Sequence, residues 1–190
     1  MAGRSLANFE AAIGTCAIAW SAAGIVGVQL PDTTEIATRA RLQRRFPDAD
    51  ETAPPPFVHR AIEAIVALLR GEARELRDVP LDLDCLPEFN KRVYDIARTI
   101  PPGRTMTYGE IAKQLGDRLL ARAVGQALGH NPVPLIVPCH RVVAASGKSG
   151  GFSAGGGVVT KLRLLTIEGA QPTGPTLFDR LPLEARASRR

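Results

Sequence analysis

Residues 134–142 read Pro-Leu-Ile-Val-Pro-Cys-His-Arg-Val, and they place a cysteine beside a histidine at the end of an apolar run. Apolar residues bounded by Pro134 and Pro138 predict a short buried strand. Cys139 then lies at the exit of that strand, where its side chain can face a pocket. Adjacent side chains of an extended chain point to opposite faces, so contact between His140 and the thiol requires an irregular backbone or an intervening water. A buried, unreactive thiol is the alternative interpretation, because most free cysteines behave as small hydrophobic residues.

The sequence on either side of this stretch favours a reactive cysteine. Arg-Ala-Val-Gly at 122–125 and Asn-Pro at 131–132 precede it, Gly-Gly-Phe-Ser-Ala-Gly-Gly at 150–156 follows it, and Glu168 ends the next apolar run. Over about residues 87 to 170 these motifs closely resemble the alkylguanine-DNA alkyltransferase family, also called methylated-DNA–protein-cysteine methyltransferases. The N-terminal half is similar to that family only in its layout.

Three helices are predicted in the C-terminal half. Pro87 lies in the first turn of one whose apolar residues recur at spacings of three and four. Thr107 with Glu110 is a capping box for a second helix, which Gly116 ends. A third helix is expected from about Arg118 to Leu128. The last two helices therefore have the outline of a helix-turn-helix, whose second helix contacts a DNA groove.

The N-terminal half predicts a small α/β layer. Residues 10–30 read as a β-hairpin that turns at residues 21–24. Asp32 with Glu35 predicts the start of a helix through a capping-box-like pair. The apolar stripe of that helix is expected to hold Ile36, Ala40 and Phe46.

Further along this half, the proline-rich residues 47–56 predict a loop. A second helix is expected from about Phe57 to Arg70, with Gly71 as its C-terminal cap. The apolar residues between 76 and 83 then predict one more strand. On the first helix, a row of arginines fits an exposed helical face better than a phosphate site: Arg39, Arg41, Arg44 and Arg45.

The predicted fold class is α/β, in two domains. Residues 1–84 form an N-terminal domain with a small sheet and helices, and residues 85–170 form the catalytic and DNA-binding domain. The resemblance implies that the first is RNase H-like and that the second is helical and winged-helix-like. Residues 171–190, with their prolines and arginines, are expected to form a disordered tail.

The composition predicts a globular protein whose C-terminal half meets a polyanion. Residues 1–88 carry 9 Arg against 13 acidic residues, a balance of −4, whereas residues 89–170 carry 11 Lys and Arg against 4 acids, a balance of +7. A basic half beside an acidic one favours a nucleic-acid partner. Without a secretion signal or a run of 18 apolar residues, we expect no membrane association and a cytoplasmic, nucleoid-associated location.

The resemblance implies the reaction and the residues that carry it. Cys139 accepts the alkyl group of 6-O-alkylguanine, once per molecule and without a cofactor, and 4-O-alkylthymine is left open as a second substrate. His140 is the base and acts through a water, Glu168 orients its imidazole, and Asn131 braces the turn before the cysteine. The implied partner is double-stranded DNA that contains alkylated guanine, bound by a monomer.

The resemblance also implies how DNA is bound. Tyr108 displaces the target phosphate and hydrogen-bonds the flipped base, and Arg122 fills the space that the base leaves in the stack. Thr107, directly before Tyr108, also matches the family's motif and is counted with the DNA-binding residues. Small residues allow close approach to the narrow minor groove: Ala121, Ala123, Gly125 and Ala127. The glycine-rich run 147–157 is expected to be a lid, and the base pocket is expected to be lined by Pro134, Val142, Phe152, Ser153 and Ala154.

Two other classes of function share parts of this pattern. A DNA-binding module without chemistry has the same pocket but lacks the cysteine, so Cys139 distinguishes the two. A cysteine hydrolase with a Cys/His pair predicts turnover on esters or peptides and no need for DNA. A zinc site in the N-terminal half is not expected, because Cys16, His59 and Cys85 do not have paired ligand spacing.

Overall fold

The structure is a computed structural model that describes residues 3–145 and 157–170. Four strands form the first sheet: β1 (Arg4–Ala11), β2 (Gly14–Trp20), β3 (Ile25–Gln29) and β4 (Ala49–Glu51). Their order is β3-β2-β1-β4, with β4 parallel to β1 and the other pairs antiparallel. The β2–β3 hairpin confirms the predicted one. Strand β1 was not predicted, and β4 lies inside the predicted loop because backbone pairing with β1, rather than an apolar pattern, defines it.

Two helices, α1 (Glu35–Arg45) and α2 (Pro56–Leu69), cover the sheet on opposite faces. Successive side chains of a strand alternate between faces, so one strand can serve two cores. On β2, Ala17 and Ala19 pack with Leu42 of α1. The alternate residues join the larger core, which includes Ile65 of α2, and these are Cys16, Ile18 and Trp20.

Helix α1 begins two residues after the position that the sequence suggested. Its N-cap is Thr34, whose hydroxyl accepts the Ala37 N–H at 3.1 Å, whereas Asp32 accepts from Thr33 and Arg41. The predicted apolar stripe is confirmed only at Phe46, which packs against the core that holds Leu42; Ile36 is 82% exposed, and the buried positions of the helix are Thr38 and Leu42. The stripe was misplaced because this arginine-rich helix has a weak apolar pattern.

The strand predicted between residues 76 and 83 is also wrong. Only one isolated bridge, between Ile25 and Leu81, joins this segment to β3. Pro80 has no N–H to continue a ladder, which limits pairing here. The side chain of Arg98 instead holds the segment by donating to the carbonyls of Leu76, Arg77 and Val79.

Where the structure describes it, the C-terminal half contains four α-helices and a second, two-stranded sheet. In chain order these are α3 (Glu88–Arg98), β5 (Met106–Thr107), α4 (Tyr108–Gln114), α5 (Ala121–Gly129), β6 (Val142–Val143) and α6 (Gly157–Ile167). The predicted third helix is divided, because residues Arg118–Leu120 form a 3-10 turn before α5. Within the residues that the structure describes, no helix is long and apolar enough to cross a membrane.

The predicted strand before Cys139 is a compact turn. Pro134 and Val137 form an isolated bridge, and Leu135 between them has a positive φ of 76°. A non-glycine residue in this region costs on the order of 1–3 kcal/mol, so the surrounding contacts must hold it there. Residues Cys139–Arg141 then form a 3-10 turn, which supplies the irregular backbone expected between the cysteine and the histidine.

Candidate functional site

The small parallel sheet brings two distant segments together. Met106 of β5 pairs with Val142 of β6, and Thr107 pairs with Val143. Strand β5 runs directly into α4, whose first residue is Tyr108, while β6 directly follows the turn that holds Cys139. The start of α4 and the cysteine turn therefore lie side by side.

The start of α4 is fixed by a complete capping box. The Thr107 hydroxyl accepts the Glu110 N–H at 3.1 Å, and the Glu110 carboxylate accepts the Thr107 N–H at 2.6 Å. Both predicted halves of this motif are confirmed. Thr107 therefore caps the start of the helix, and Tyr108 follows it as the first helical residue.

Asn131 holds the two ends of the turn before the cysteine. Its Nδ2 donates to the Val137 carbonyl at 2.8 Å, and its Oδ1 accepts the Val133 N–H at 3.0 Å. The Val137 N–H also donates to the Val133 carbonyl at 3.0 Å, which closes the turn. The side chain of Asn131 thus replaces backbone pairing that Pro132, Pro134 and Pro138 cannot provide.

The thiol of Cys139 is buried, with 8% of the residue exposed. Burial raises the pKa of Cys139, while a hydrogen bond from the Asn131 side chain, the charge of Lys161 and the backbone N–H groups of Cys139 and His140 act in the opposite direction. The surroundings therefore contain specific groups that favour the thiolate at a site where burial alone would suppress it.

His140 and Arg141 meet the same carboxylate. Glu168 Oε1 lies 2.9 Å from His140 Nε2, and Arg141 donates to both oxygens of Glu168, from Nη2 at 2.8 Å and Nε at 2.9 Å. Arg141 also donates from Nη1 to the Ile100 carbonyl at 2.6 Å. All three side chains are nearly or fully buried. The carboxylate is therefore locked in one orientation by a two-pronged arginine contact.

The charges in this network follow from its contacts. Burial raises the pKa of Glu168, but hydrogen bonds and charge from His140 and Arg141 outweigh that effect and lower the pKa to about 2. Burial lowers the pKa of His140, against the opposing effect of Glu168. At neutral pH the glutamate is thus ionised and the imidazole is neutral. An ionised carboxylate can only accept a hydrogen bond, so the proton of the neutral imidazole is assigned to Nε2, which donates to Glu168. Nδ1 is then an acceptor, and it is buried with no partner among the described residues.

Lys161 is a site residue that the sequence interpretation missed. It lies on α6, is fully buried, and donates from Nζ to the Val142 carbonyl at 2.6 Å. Its Nζ also lies 5.9 Å from the centre of the Tyr108 ring. Burial lowers the pKa of Lys161 to about 8, although the charge of Cys139 acts to raise it. The spacing of Lys161 from Leu164 and Leu165 places it on the buried stripe of the helix, and this was the available signal.

Helix α5 presents an exposed arginine next to the site. Arg122 is exposed, while Ala121, Ala123 and Gly125 are partly exposed. A Cβ added to Gly125 would lie 3.8 Å from two carbons of the Tyr108 ring, so α5 packs directly on that tyrosine. Ala127 faces inward, with 4% exposed, and this corrects its predicted place on the outer face.

The predicted base pocket is described only in part. Pro134 and Val142 are buried beside Cys139, and the Val142 carbonyl already accepts from Lys161. Phe152, Ser153 and Ala154, together with most of the predicted lid, lie outside the described residues, as does the predicted tail. Among residues 3–145 and 157–170, no group of three or more His, Cys, Asp or Glu side chains is arranged to hold a metal ion.

These features define a class of protein: one that places a buried cysteine, with nearby groups that favour its thiolate, beside a pair of helices that carries an exposed arginine. Comparison with known proteins gives the family. The model of the family described as "6-O-methylguanine DNA methyltransferase, DNA binding domain" matches residues 88–170. A methylated-DNA–protein-cysteine methyltransferase of Mycolicibacterium paratuberculosis is 49% identical over 129 residues, which cover 67% of this chain and 76% of that protein.

Solved structures and a further relative agree. The structure of Mycobacterium tuberculosis OGT in complex with DNA is 36% identical, with a TM-score of 0.70, and the match covers 87% of this chain and 92% of that one. A Thermus thermophilus protein named "DNA base-flipping protein" is 44% identical over 111 residues, 58% of this chain and 73% of that protein. The chain belongs to the methylated-DNA–protein-cysteine methyltransferase family, as its motifs indicated, and is an enzyme of that class.

Proposed function

We propose that the protein repairs duplex DNA by moving the alkyl group of 6-O-alkylguanine to Sγ of Cys139. The observation that carries this proposal is the surroundings of the thiol, where Asn131 and Lys161 favour the thiolate within a buried pocket. Displacement at a saturated carbon needs a soft, ionised nucleophile, and a thiolate is one. The bond between the alkyl carbon and the guanine oxygen breaks as the carbon–sulfur bond forms, and guanine leaves with the electron pair.

The proton of the thiol moves through His140 in this proposal. Nδ1 of the neutral imidazole is an acceptor that no described residue engages, so it can take the thiol proton through one water. Glu168 stays ionised and stabilises the imidazolium that results, while Arg141 keeps the carboxylate in place. The same proton then returns to the departing guanine, which balances the reaction.

The reaction is proposed to occur once per molecule. The product is a thioether, and a thiolate is a poor leaving group from an unactivated saturated carbon. DNA supplies the alkyl group and Cys139 accepts it, so the balanced reaction calls for no cofactor. 4-O-alkylthymine presents the same kind of carbon to the thiolate and is a candidate second substrate.

Base flipping is proposed because the alkyl group lies inside the stacked duplex while Cys139 is buried in the protein. Enzymes that act on such atoms extrude the nucleotide, at a cost of a few kcal/mol. Arg122 is exposed on α5 and is proposed to fill the vacated space, while Tyr108, between α5 and the cysteine turn, guides the base. Thr107 and the small residues of α5 complete the DNA-binding surface, and these are Ala121, Ala123 and Gly125. The name of the Thermus relative supports this step.

The remaining proposals concern organisation. We retain the division into domains at 1–84 and 85–170 with a tail at 171–190, an RNase H-like N-terminal domain and a winged-helix-like C-terminal one. The tight sheet β5–β6 beside α4 and α5 supports the second label. The protein is proposed to act as a monomer in the cytoplasm, at the nucleoid, and Pro134, Val142, Phe152, Ser153 and Ala154 are proposed to line the base pocket.

Incubation with a duplex that holds one 6-O-methylguanine, followed by mass spectrometry of peptides, tests this function. We expect one added methyl group on the peptide that contains Cys139, and unmodified guanine in the DNA. Binding without any mass change would instead favour a DNA-binding protein without chemistry. Release of a small product with an unmodified cysteine would favour a hydrolase.

Lys161→Met is expected to slow methyl transfer on the order of ten-fold at pH 7, because an opposite charge near an ionisable group changes its ionisation constant by a factor of ten or more. Lys161 has a lowered pKa of about 8, so its charge is present below that pH and lost above it. The deficit of the variant should therefore be largest below pH 8 and shrink above it. Single-turnover rates between pH 6 and 9.5 measure this, and a deficit that does not change with pH would assign Lys161 a purely structural role through the Val142 carbonyl.

A further inference from the structure

Two hydrogen bonds from the N-terminal half converge on one backbone carbonyl in the segment before Cys139. Pro132 O accepts the Val28 N–H of β3 at 2.9 Å and Nη2 of Arg45 at 3.0 Å. Arg45 lies at the C-terminal end of α1 and is 87 residues away from Pro132 in sequence. A helix on the first sheet therefore reaches across to the cysteine segment with a charged side chain.

Arg45 is held in position for this contact from its own side. Its guanidinium lies 5.3 Å from the centre of the Phe46 ring, and Nη1 donates to the Val28 carbonyl at 3.5 Å. Helix α1 can approach β3 closely because residue 27 is glycine, and a Cβ there would overlap the Phe46 ring. The close approach of α1 to β3 thus sets how far the Arg45 side chain can extend.

The contact continues from Pro132 to the thiol through one residue. Pro132 is covalently joined to Asn131, whose side chain bonds the Val133 N–H and the Val137 carbonyl and favours the thiolate of Cys139. A displacement of the Pro132 carbonyl therefore moves Asn131. That movement alters both the shape of the cysteine turn and the hydrogen bond that supports the thiolate.

Hydrogen bonds, rather than dense packing, fix the segment on this side. A cavity of about 210 Å³ lies between the two halves and is bounded by Arg45, Asn131, Pro134 and Cys139, among others. The cavity leaves room for movement beside Asn131 and Pro134, so hydrogen bonds to Pro132 constrain the segment on this side, although Val133 and Leu135 are buried in the larger apolar core. We propose that Arg45 is a positioning residue for methyl transfer, which acts through Pro132 and Asn131 to hold Cys139 in its reactive geometry. This inference rests on the proposed function.

Arg45→Met tests the inference, with Arg44→Met as the matched control. Arg44 is an exposed neighbour on the same helix and has no ion pair or side-chain hydrogen bond within the described residues. Rates of methyl transfer are measured on free 6-O-methylguanine base and on a methylated duplex, over a range of pH. Thermal unfolding and the affinity of the unreacted protein for DNA are measured alongside.

In the Arg45→Met variant, we expect the rate of methyl transfer to Cys139 to fall about ten-fold with both substrates, because a small misplacement of a reacting group slows the reaction strongly. The pH at which the transfer rate rises should be higher in this variant, because the hydrogen bond from Asn131 that favours the thiolate is weakened. DNA affinity should be unchanged. Arg44→Met should match the wild type, and Arg45→Lys, which keeps one charged donor, should recover part of the rate.

Three outcomes overturn the inference. Equal rates for Arg45→Met and Arg44→Met show that the contact has no effect on the chemistry. A loss confined to the duplex, with a smaller dependence of binding on salt, shows that Arg45 contacts a DNA phosphate instead. A slower rate with an unshifted pH profile and no recovery in Arg45→Lys shows general destabilisation. Failure of the proposed function is distinguishable, because wild-type protein would then transfer no methyl group at all.

Discussion

Cys139→Ser is expected to lose all measurable methyl transfer from a methylated duplex while binding the same DNA with nearly wild-type affinity. A serine hydroxyl is a far poorer nucleophile than a thiolate at neutral pH, and Asn131 and Lys161 cannot ionise it. Serine is close to cysteine in size, so the turn that holds the residue is preserved. Transfer is measured by the appearance of unmodified guanine, and binding by titration with labelled duplex.

The other two cysteines provide the control for this prediction. Cys85 is exposed, and Cys85→Ser should transfer at the wild-type rate. Cys16 lies on β2 and is buried in the larger core, and burial with the nearby charge of Glu10 raises its pKa to about 12. That thiol is therefore unreactive at neutral pH. Retained transfer in Cys139→Ser would assign the acceptor to another residue.

Arg122→Ala is expected to slow repair of a methylated duplex. The activation free energy should rise by on the order of a few kcal/mol, which is the cost of unstacking one base. Dealkylation of free 6-O-methylguanine base needs no extrusion, so its rate should change little. Arg118→Ala, which removes an exposed arginine from the adjoining 3-10 turn, is the matched control and should affect only phosphate binding. The comparison uses single-turnover rates at saturating protein.

Tyr108→Phe separates extrusion from contact with the base. Its hydroxyl is proposed to bond the base itself, so the substitution should slow reaction of the duplex and of free base alike. Equal losses by Arg122→Ala on both substrates would show that Arg122 supports the structure of the pocket. That result would remove the main argument that α5 performs base extrusion.

Local signals in the sequence located much of this structure. The Thr107 and Glu110 pair specified the start of α4, and Gly71 and Gly116 lie at positive φ after α2 and α4, as helix-ending glycines do. The β2–β3 hairpin was likewise visible from its alternation and its turn. Each of these features is decided by residues within a few positions of one another, which is why a sequence pattern reports them.

Features decided by distant contacts were not predictable in the same way. The apolar run 134–137 suits a buried turn as well as a buried strand, and only the bonds of Asn131 and the positive φ of Leu135 distinguish them. Strand β4 exists because β1 lies next to it. The contact of Arg45 with Pro132 spans the two halves of the chain, and no local pattern marks it.

The candidate site shows the same division. The Cys139, His140 and Glu168 set followed from resemblance, and the structure places the imidazole and the carboxylate 2.9 Å apart. Lys161 was missed because a lysine on a helix is ordinarily solvated, although its spacing from the apolar residues of α6 placed it on the buried face. Buried charge near a reactive group is the more informative signal in such a case.

The central claim is that one molecule accepts one alkyl group on Cys139, and a titration tests it most directly. A fixed amount of duplex with a single 6-O-methylguanine is incubated to completion with increasing protein, and repaired guanine and modified Cys139 peptide are counted in the same samples. We expect the amount of repaired guanine to rise linearly with protein and to equal the amount of methylated Cys139. Both should reach a plateau when protein and duplex are equimolar. Repair of many lesions per protein molecule, or repair without a methyl group on Cys139, would contradict the account.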